Sequence, residues 1–244
     1  MSVALFVPCY VDQLYPQVAR ATLAVLEARG VKVAYPMEQT CCGQPMANAG
    51  CEGDAHATAR RFVRTFAGFD TIVAPSGSCV QFVRHHFDAL PQTPQVQLVR
   101  NRTVELSEFL LTLPEGPPID FPYTVGVHVG CHALRGLRQA MASELGATPG
   151  GALRTLLGRL PGAEVVPLDR PDECCGFGGT FAVDEPAISA RMGSDRIADH
   201  RRHGAQVLVS GDMSCLMHLD GIARRQGATL PVMHIAQVLN GERP

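Results

Sequence analysis

Short apolar runs alternate with amphipathic segments along this chain. Runs at 3–8, 31–35 and 71–75, and again at 124–130, 164–168 and 206–210, are rich in Val, Ile and Leu and have the length of buried strands. Helical patterns follow them. Pro16 just inside a start and Gly30 just past an end bracket a helix over 16–29. Val80, Val83, Phe87 and Leu90 keep the spacing of one helix face, as do Leu216, Leu219, Ile222 and Ala223. Strand and helix in alternation predict an α/β fold of βα units around parallel sheets.

The pattern occurs twice. Val3-Ala4-Leu5-Phe6-Val7-Pro8-Cys9 is answered by Val125-Gly126-Val127-His128-Val129-Gly130-Cys131, and Ile72-Val73-Ala74-Pro75-Ser76-Gly77-Ser78-Cys79 by Leu208-Val209-Ser210-Gly211-Asp212-Met213-Ser214-Cys215. The closing segments 105–110 and 234–239 match as well. The chain therefore reads as a tandem duplication of about 120 residues per unit. We expect two pseudo-symmetric lobes, 1–120 and 121–244, each a small parallel sheet flanked by helices. An apolar fraction of 46% is enough to give each lobe a core.

Eight of the nine cysteines belong to the repeat: Cys9, Cys41, Cys42 and Cys79, then Cys131, Cys174, Cys175 and Cys215. In the first copy 31 residues separate the single cysteine from the pair and 35 separate Gly43 from Cys79; the second copy has 42 and 38. In both lobes these cysteines fall just beyond the carboxyl ends of expected strands, where open α/β sheets bind ligands. Distant thiols are thereby brought to one point, and the metal site is expected at the strand ends. The last cysteine of each set lies near a helix N-terminus, which favours thiolate. Gly43 and Gly176 relieve crowding beside two consecutive cysteines. Four thiolates per lobe suit either an iron–sulfur cluster or tetrahedral zinc. A vicinal disulfide at Cys41-Cys42 or Cys174-Cys175 is a third reading, but it leaves the single cysteines unexplained. Cys51 stands outside the repeat and reads as a small buried hydrophobe.

Charge excludes more than it suggests. With 21 basic and 23 acidic residues the net charge is -2, and no basic stripe points to nucleic acid. No apolar run approaches the roughly 18 residues of a membrane span, so no transmembrane segment is expected. The start of the chain has no positively charged leader, which points to the cytoplasm, where clustered cysteines are more often metal ligands than disulfides.

Five motifs carry a family resemblance: Cys41-Cys42-Gly43-Gln44-Pro45, Pro75-Ser76-Gly77-Ser78-Cys79, His128-Val129-Gly130-Cys131-His132, the segment from Cys174-Cys175-Gly176 to Phe181, and Asp212-Met213-Ser214-Cys215-Leu216-Met217-His218. Across essentially the whole chain these resemble the cysteine-rich CCG-domain iron–sulfur proteins. That family includes the B subunit of heterodisulfide reductase, iron–sulfur subunits of glycolate oxidase and, nearer still, iron–sulfur components of bacterial L-lactate utilisation. The resemblance implies [4Fe-4S] clusters, up to one per lobe, on the eight repeated cysteines. It also implies a subunit of an oxidoreductase that converts L-lactate, or a related 2-hydroxy acid such as glycolate, to the keto acid. Its partners would be other iron–sulfur and accessory subunits and an electron acceptor of quinone or ferredoxin type. The broad family pattern ends in Cys-x-x-Cys, whereas here Ser76 and Asp212 stand in place of the first cysteine. Loss of that fifth thiolate counts against the non-cubane cluster and disulfide chemistry of the reductases, and leaves Ser76 and Asp212 as candidate oxygen ligands. A zinc-stabilised interaction module and a thiol/disulfide redox protein remain the alternatives.

His128, His132 and His218 flank second-lobe cysteines where the first lobe has Phe6, Tyr10 and Phe82. His132 and His218 are the candidate catalytic residues, for proton transfer or a hydrogen bond to sulfur. His128, inside an alternating strand, reads as a satisfied structural histidine. His56, His85, His86, His200 and His203 fall on helical segments and read as solvated. Arg135 and Arg138 are candidates for holding a carboxylate. The Gly176-Phe177-Gly178-Gly179 stretch lacks dinucleotide-loop spacing and follows cysteines instead of a strand, so it reads as backbone that approaches a cluster.

Overall fold

Eight short strands form two four-stranded parallel sheets in the computed structural model, which describes residues 2–145 and 150–244. The chain divides into two units, Met1–Gly116 and Pro117–Pro244. In the first unit, β1 (Val3–Leu5), β2 (Val33–Ala34), β3 (Thr71–Ala74) and β4 (Thr103–Glu105) are arranged in the order β2-β1-β3-β4. The second repeats this with β5 (Thr124–His128), β6 (Glu164–Val165), β7 (Val207–Ser210) and β8 (Val232–His234) in the order β6-β5-β7-β8. Val3 pairs with Val33 and Thr71, and Val125 with Val165 and Val207, so the central strand of each sheet is the first in sequence.

The six expected strands are present, but shorter than their apolar runs. Val7 and Val129 lie beyond the paired segments because the backbone turns there toward the single cysteine. The edge strands β4 and β8, Thr103-Val104-Glu105 and Val232-Met233-His234, end on a polar residue and lie in no longer apolar run, so neither registers in the pattern. Each leads directly into a helix capped by its own last residue. Glu105 accepts from the Ser107 and Glu108 N–H groups, and His234 Nδ1 accepts from Ala236 N–H while Gln237 Oε1 accepts from His234 N–H. The matching closing segments seen in the sequence are these strand-to-helix corners.

Helices cover the sheets as apolar spacing dictates. Pro16–Glu27 begins on its proline and buries Val18, Ala21, Val25 and Leu26. Helix Glu52–Phe66 buries Ala55, Ala59, Phe62, Val63 and Phe66. Its rings join Phe6 of the chain after β1, with Phe6 4.8 Å from Phe62 and 5.8 Å from Phe66, edge to face. The equivalent second-lobe helix, Pro186–Arg202, buries Ser189, Gly193, Arg196, Ile197 and His200 at the same spacing. That face is polar where the first-lobe face is aromatic. No helix among the described residues is long and apolar enough to cross a membrane.

Candidate metal centre

Strand order determines where chemistry can sit. In each sheet the chain moves first to one side of the central strand and then to the other, which opens a crevice at the carboxyl ends of the first and third strands. Cys9 opens the helix Cys9–Leu14 that follows β1, and Cys79 is the third residue of the helix Gly77–Gln81 that follows β3. Cys41 and Cys42 lie in the loop after β2. Gln39 ties that loop to the central strand, accepting from Val7 N–H at 2.8 Å and donating to the Leu5 carbonyl at 3.2 Å. The second lobe is built alike, with Cys131 after β5, Cys174 and Cys175 after β6, and Cys215 third in the helix Met213–Arg225 after β7.

All eight repeated cysteines meet their own set. Cys9 Sγ lies 3.4 Å from Cys41 Sγ. Cys41 is hydrogen-bonded in turn to Cys42, and Cys42 to Cys79. The second lobe has the same chain of contacts, Cys131 to Cys174 to Cys175 to Cys215. All nine cysteines are free thiols, with Cys42, Cys79, Cys175 and Cys215 buried.

Packing thiols this closely polarises them. Hydrogen bonds from Cys42 and then Cys9 hold Cys41 well below the usual thiol range, aided by the Gly43 N–H. Cys174 is held low likewise by Cys131, then Cys175, with the Gly176 N–H. Their neighbours move the other way. Cys9 and Cys131 are raised by donating to those sulfurs and by burial, and Cys42 and Cys175 by donating within the chain of thiols and by burial. One anion per lobe is thus stabilised by thiol donors. Four thiolates in the same space require a cation to offset their repulsion, which is the chemistry of a Cys₄ metal centre. Backbone donors are already in place: Gly43 N–H reaches Cys41 Sγ at 3.3 Å, while Gly176 and Phe177 N–H reach Cys174 and Cys175 Sγ, each at 3.4 Å. The residues fit an iron–sulfur cluster or a tetrahedral metal ion in each lobe.

The two glycines after the cysteine pairs are needed for shape. Gly43 has φ +102° and Gly176 φ +89°, a region that side chains disfavour. A Cβ on Gly176 would stand 2.6 Å from the Ser189 carbonyl oxygen, and one on Gly43 3.0 Å from that of Ala55. The Cys-Cys turn therefore lies flat against the covering helix.

Ser76 and Asp212, the candidate oxygen ligands, are both helix N-caps. Ser76 Oγ accepts from Cys79 N–H at 3.3 Å, and Asp212 Oδ1 from Ser214 N–H at 3.1 Å. Replacing Ser76 with Ala is expected to lower stability by about 1 kcal/mol in urea unfolding of the reduced, metal-free chain. The first lobe should retain its metal; loss of metal without loss of stability would make Ser76 a ligand and not a cap.

The second-lobe histidines differ in their surroundings. His132 Nδ1 lies 3.8 Å from Cys131 Sγ, at the edge of sulfur hydrogen bonding. His218 Nε2 lies 3.3 Å from Ser189 Oγ, which donates to the Gly176 carbonyl, so His218 supports the Cys-Cys-Gly turn. His128 is not a satisfied structural histidine. It is fully buried, Nδ1 accepts from Arg196 Nε at 3.2 Å, and Nε2 has no partner among the described residues. A ring nitrogen of His128 and the Cys175 and Cys215 sulfurs lie within 4.8 Å of one another. Burial, then the Arg196 charge, pushes the His128 pKa down to about 3, so the ring is neutral. His200 is not solvated but wholly buried. Cys51 is exposed, because it stands at the start of Glu52–Phe66, where its side chain makes no capping bond, instead of pointing into the core. Arg135 is engaged by Glu144 and Asp172, each at 3.1 Å, which occupies the guanidinium that was expected to hold a carboxylate.

Two lobes, each with a parallel sheet that closes four thiols over its switch point, define a duplicated cysteine-rich protein. The family model for the Cysteine-rich domain (CCG) matches residues 3–84 and 125–220, and the chain belongs to that family. Its curated relatives include a "Lactate utilization protein A" of Exiguobacterium sp. (strain ATCC BAA-1283 / AT1b), 40% identical over 98% of this chain and 97% of the relative. Proteins of the same name from Geobacillus thermodenitrificans and Shouchella clausii are 37% and 36% identical, covering 98% and 99% of this chain and 99% and 100% of theirs. A crystal structure of a hypothetical protein from Helicobacter pylori shares the fold with TM-score 0.61 at 12% identity; this chain, matched over its full length, spans 49% of that one.

Proposed function

We propose that the chain is an iron–sulfur electron carrier in L-lactate oxidation to pyruvate, with one cluster per lobe. Cys9, Cys41, Cys42 and Cys79 would hold the first, and Cys131, Cys174, Cys175 and Cys215 the second. The observation that carries this reading is the convergence of four thiols on one point in each lobe, in a chain about two-fifths identical to a lactate utilization protein. A bound [4Fe-4S] cluster supplies a one-electron relay. The chain's own residues set the terms of that relay. Backbone N–H groups of the Cys-Cys-Gly turns donate to sulfur, and burial of Cys42, Cys79, Cys175 and Cys215 keeps water from half of the repeated set. Four cysteines per lobe favour electron transfer over the disulfide chemistry of five-cysteine relatives.

In this reading the chain is one subunit of an oxidoreductase. Other iron–sulfur and accessory proteins of a lactate utilisation system supply substrate electrons, and a quinone or ferredoxin-type acceptor removes them. The reducing cytoplasm suits nine free thiols. Deleting the chain from its host is expected to abolish growth on L-lactate while growth on pyruvate continues, with rescue by the wild-type chain but not by Cys42→Ser. Undiminished growth on L-lactate would contradict the proposal.

A further inference from the structure

The second lobe differs from the first at three buried positions that face one another. Where the first lobe packs Phe6 against Phe62 and Phe66, the second has His128, Arg196 and His200, all fully buried. The correspondence is geometric. Phe6 and His128 stand three residues before the single cysteine, while Phe62/Phe66 and Arg196/His200 recur at equal spacing on the two helices that cover the Cys-Cys-Gly turns. Gly126 in β5 makes room, since a Cβ there would lie 2.4 Å from His200 Nδ1.

Arg196 is anchored on every side. Its NH2 group donates to the Val127 and Pro171 carbonyls at 3.3 Å, NH1 donates to the Arg170 carbonyl, and Asp199 lies 3.5 Å away. Its remaining donor, Nε, is directed at His128 Nδ1. A guanidinium has donors only. The facing Nδ1 must therefore present its lone pair, which places the imidazole proton on Nε2. The Arg196 donor also excludes a metal held by His128 with Cys175 and Cys215. Ligation through Nε2 would move the proton to Nδ1 and set two N–H donors against each other.

We propose that His128 is a positioning residue for the second-lobe centre: fixed by Arg196 as the Nε2–H tautomer, it holds an unpartnered Nε2–H beside Cys175 and Cys215 that would donate a hydrogen bond to sulfur of the bound centre. An N–H···S bond stabilises the more electron-rich reduced state, so His128 raises the reduction potential of that centre. Phe6 offers the first lobe no such donor, and the two centres are inequivalent. Asp212, the counterpart of Ser76, acts in the opposite sense, so the effect is defined within the second lobe, with His128 against its substitutions.

This inference rests on the iron–sulfur reading, and the test separates the two. The full chain carrying Cys42→Ser, which empties the first lobe, is purified anaerobically, assayed for iron and sulfide, and titrated by electron paramagnetic resonance. His128→Phe is expected to make reduction of the second-lobe centre about tenfold less favourable, about 59 mV for one electron, with iron content unchanged. His128→Gln, whose amide N–H replaces Nε2–H, should restore most of the shift. Because a phenylalanine beside Arg196 can prevent folding, the chain with His128 intact and ¹⁵N-labelled histidine is measured too. An exchangeable proton coupled to the centre, with weak ¹⁵N coupling, is the predicted signature. Strong ¹⁵N coupling, loss of iron in both His128 variants, or an unmoved potential on a loaded centre would overturn the proposal alone. Absence of iron and sulfide from the wild-type chain would overturn the iron–sulfur reading and, with it, this one.

Discussion

Replacing Cys175 with Ser is expected to strip the metal from the second lobe and leave the first lobe loaded. Cys175 is an interior link of its set, hydrogen-bonded to Cys174 on one side and Cys215 on the other, and buried. The second unit contains no cysteine outside its own set of four. A serine hydroxyl is a hard, weakly acidic ligand and a poor substitute for thiolate at iron. The first set, Cys9 to Cys79, makes the same contacts within its own unit and should be indifferent. Iron per chain should fall by about half, from about eight to about four if each lobe holds a four-iron cluster. Loss of all iron, or of none, would contradict one centre per lobe.

Gly176→Val is the second large effect, and it concerns the fold more than the metal. The position has φ +89°, and a Cβ would meet the backbone oxygen of Ser189 at 2.6 Å and Met192 Cβ at 2.8 Å. Backbone strain costs about 1–3 kcal/mol and overpacking about 1–3 kcal/mol more, so a loss of about 2–6 kcal/mol is expected in denaturant unfolding of the reduced, metal-free chain. Gly204→Ala gives the control. Gly204 has φ +76° with nothing within 4 Å, so only the conformational cost applies, about 1 kcal/mol. Equal losses for the two variants would mean that the Cys-Cys-Gly turn is not packed against the helix Pro186–Arg202.

The two cysteine sets were legible because cysteine is rare, chemically distinct and here repeated with its neighbours; the parallel α/β architecture follows from apolar runs alternating with helical patterns. The rest depends on contacts that spacing along the chain does not reveal. His128 and Arg196 are 68 residues apart, and an arginine on a helix reads as solvated until the helix is seen to bury that face. A signal did exist. Ser189, Gly193, Arg196, Ile197 and His200 have the spacing of Ala55, Ala59, Phe62, Val63 and Phe66, so aligning the two covering helices marks Arg196 and His200 as core positions. Strands β4 and β8 escaped because Thr103-Val104-Glu105 and Val232-Met233-His234 hold only one and two apolar residues and extend into no longer apolar run. Cys51 misled because its burial was inferred from residue type, whereas its place at a helix start exposes it.

The most direct test of the account is the iron, acid-labile sulfide and zinc content of the anaerobically purified wild-type chain, with electron paramagnetic resonance before and after reduction. Iron and sulfide in equal amounts, about four per lobe, with a signal that responds to reduction, is the predicted result. Stoichiometric zinc without labile sulfide would contradict it and make the eight cysteines the ligands of two structural metal sites.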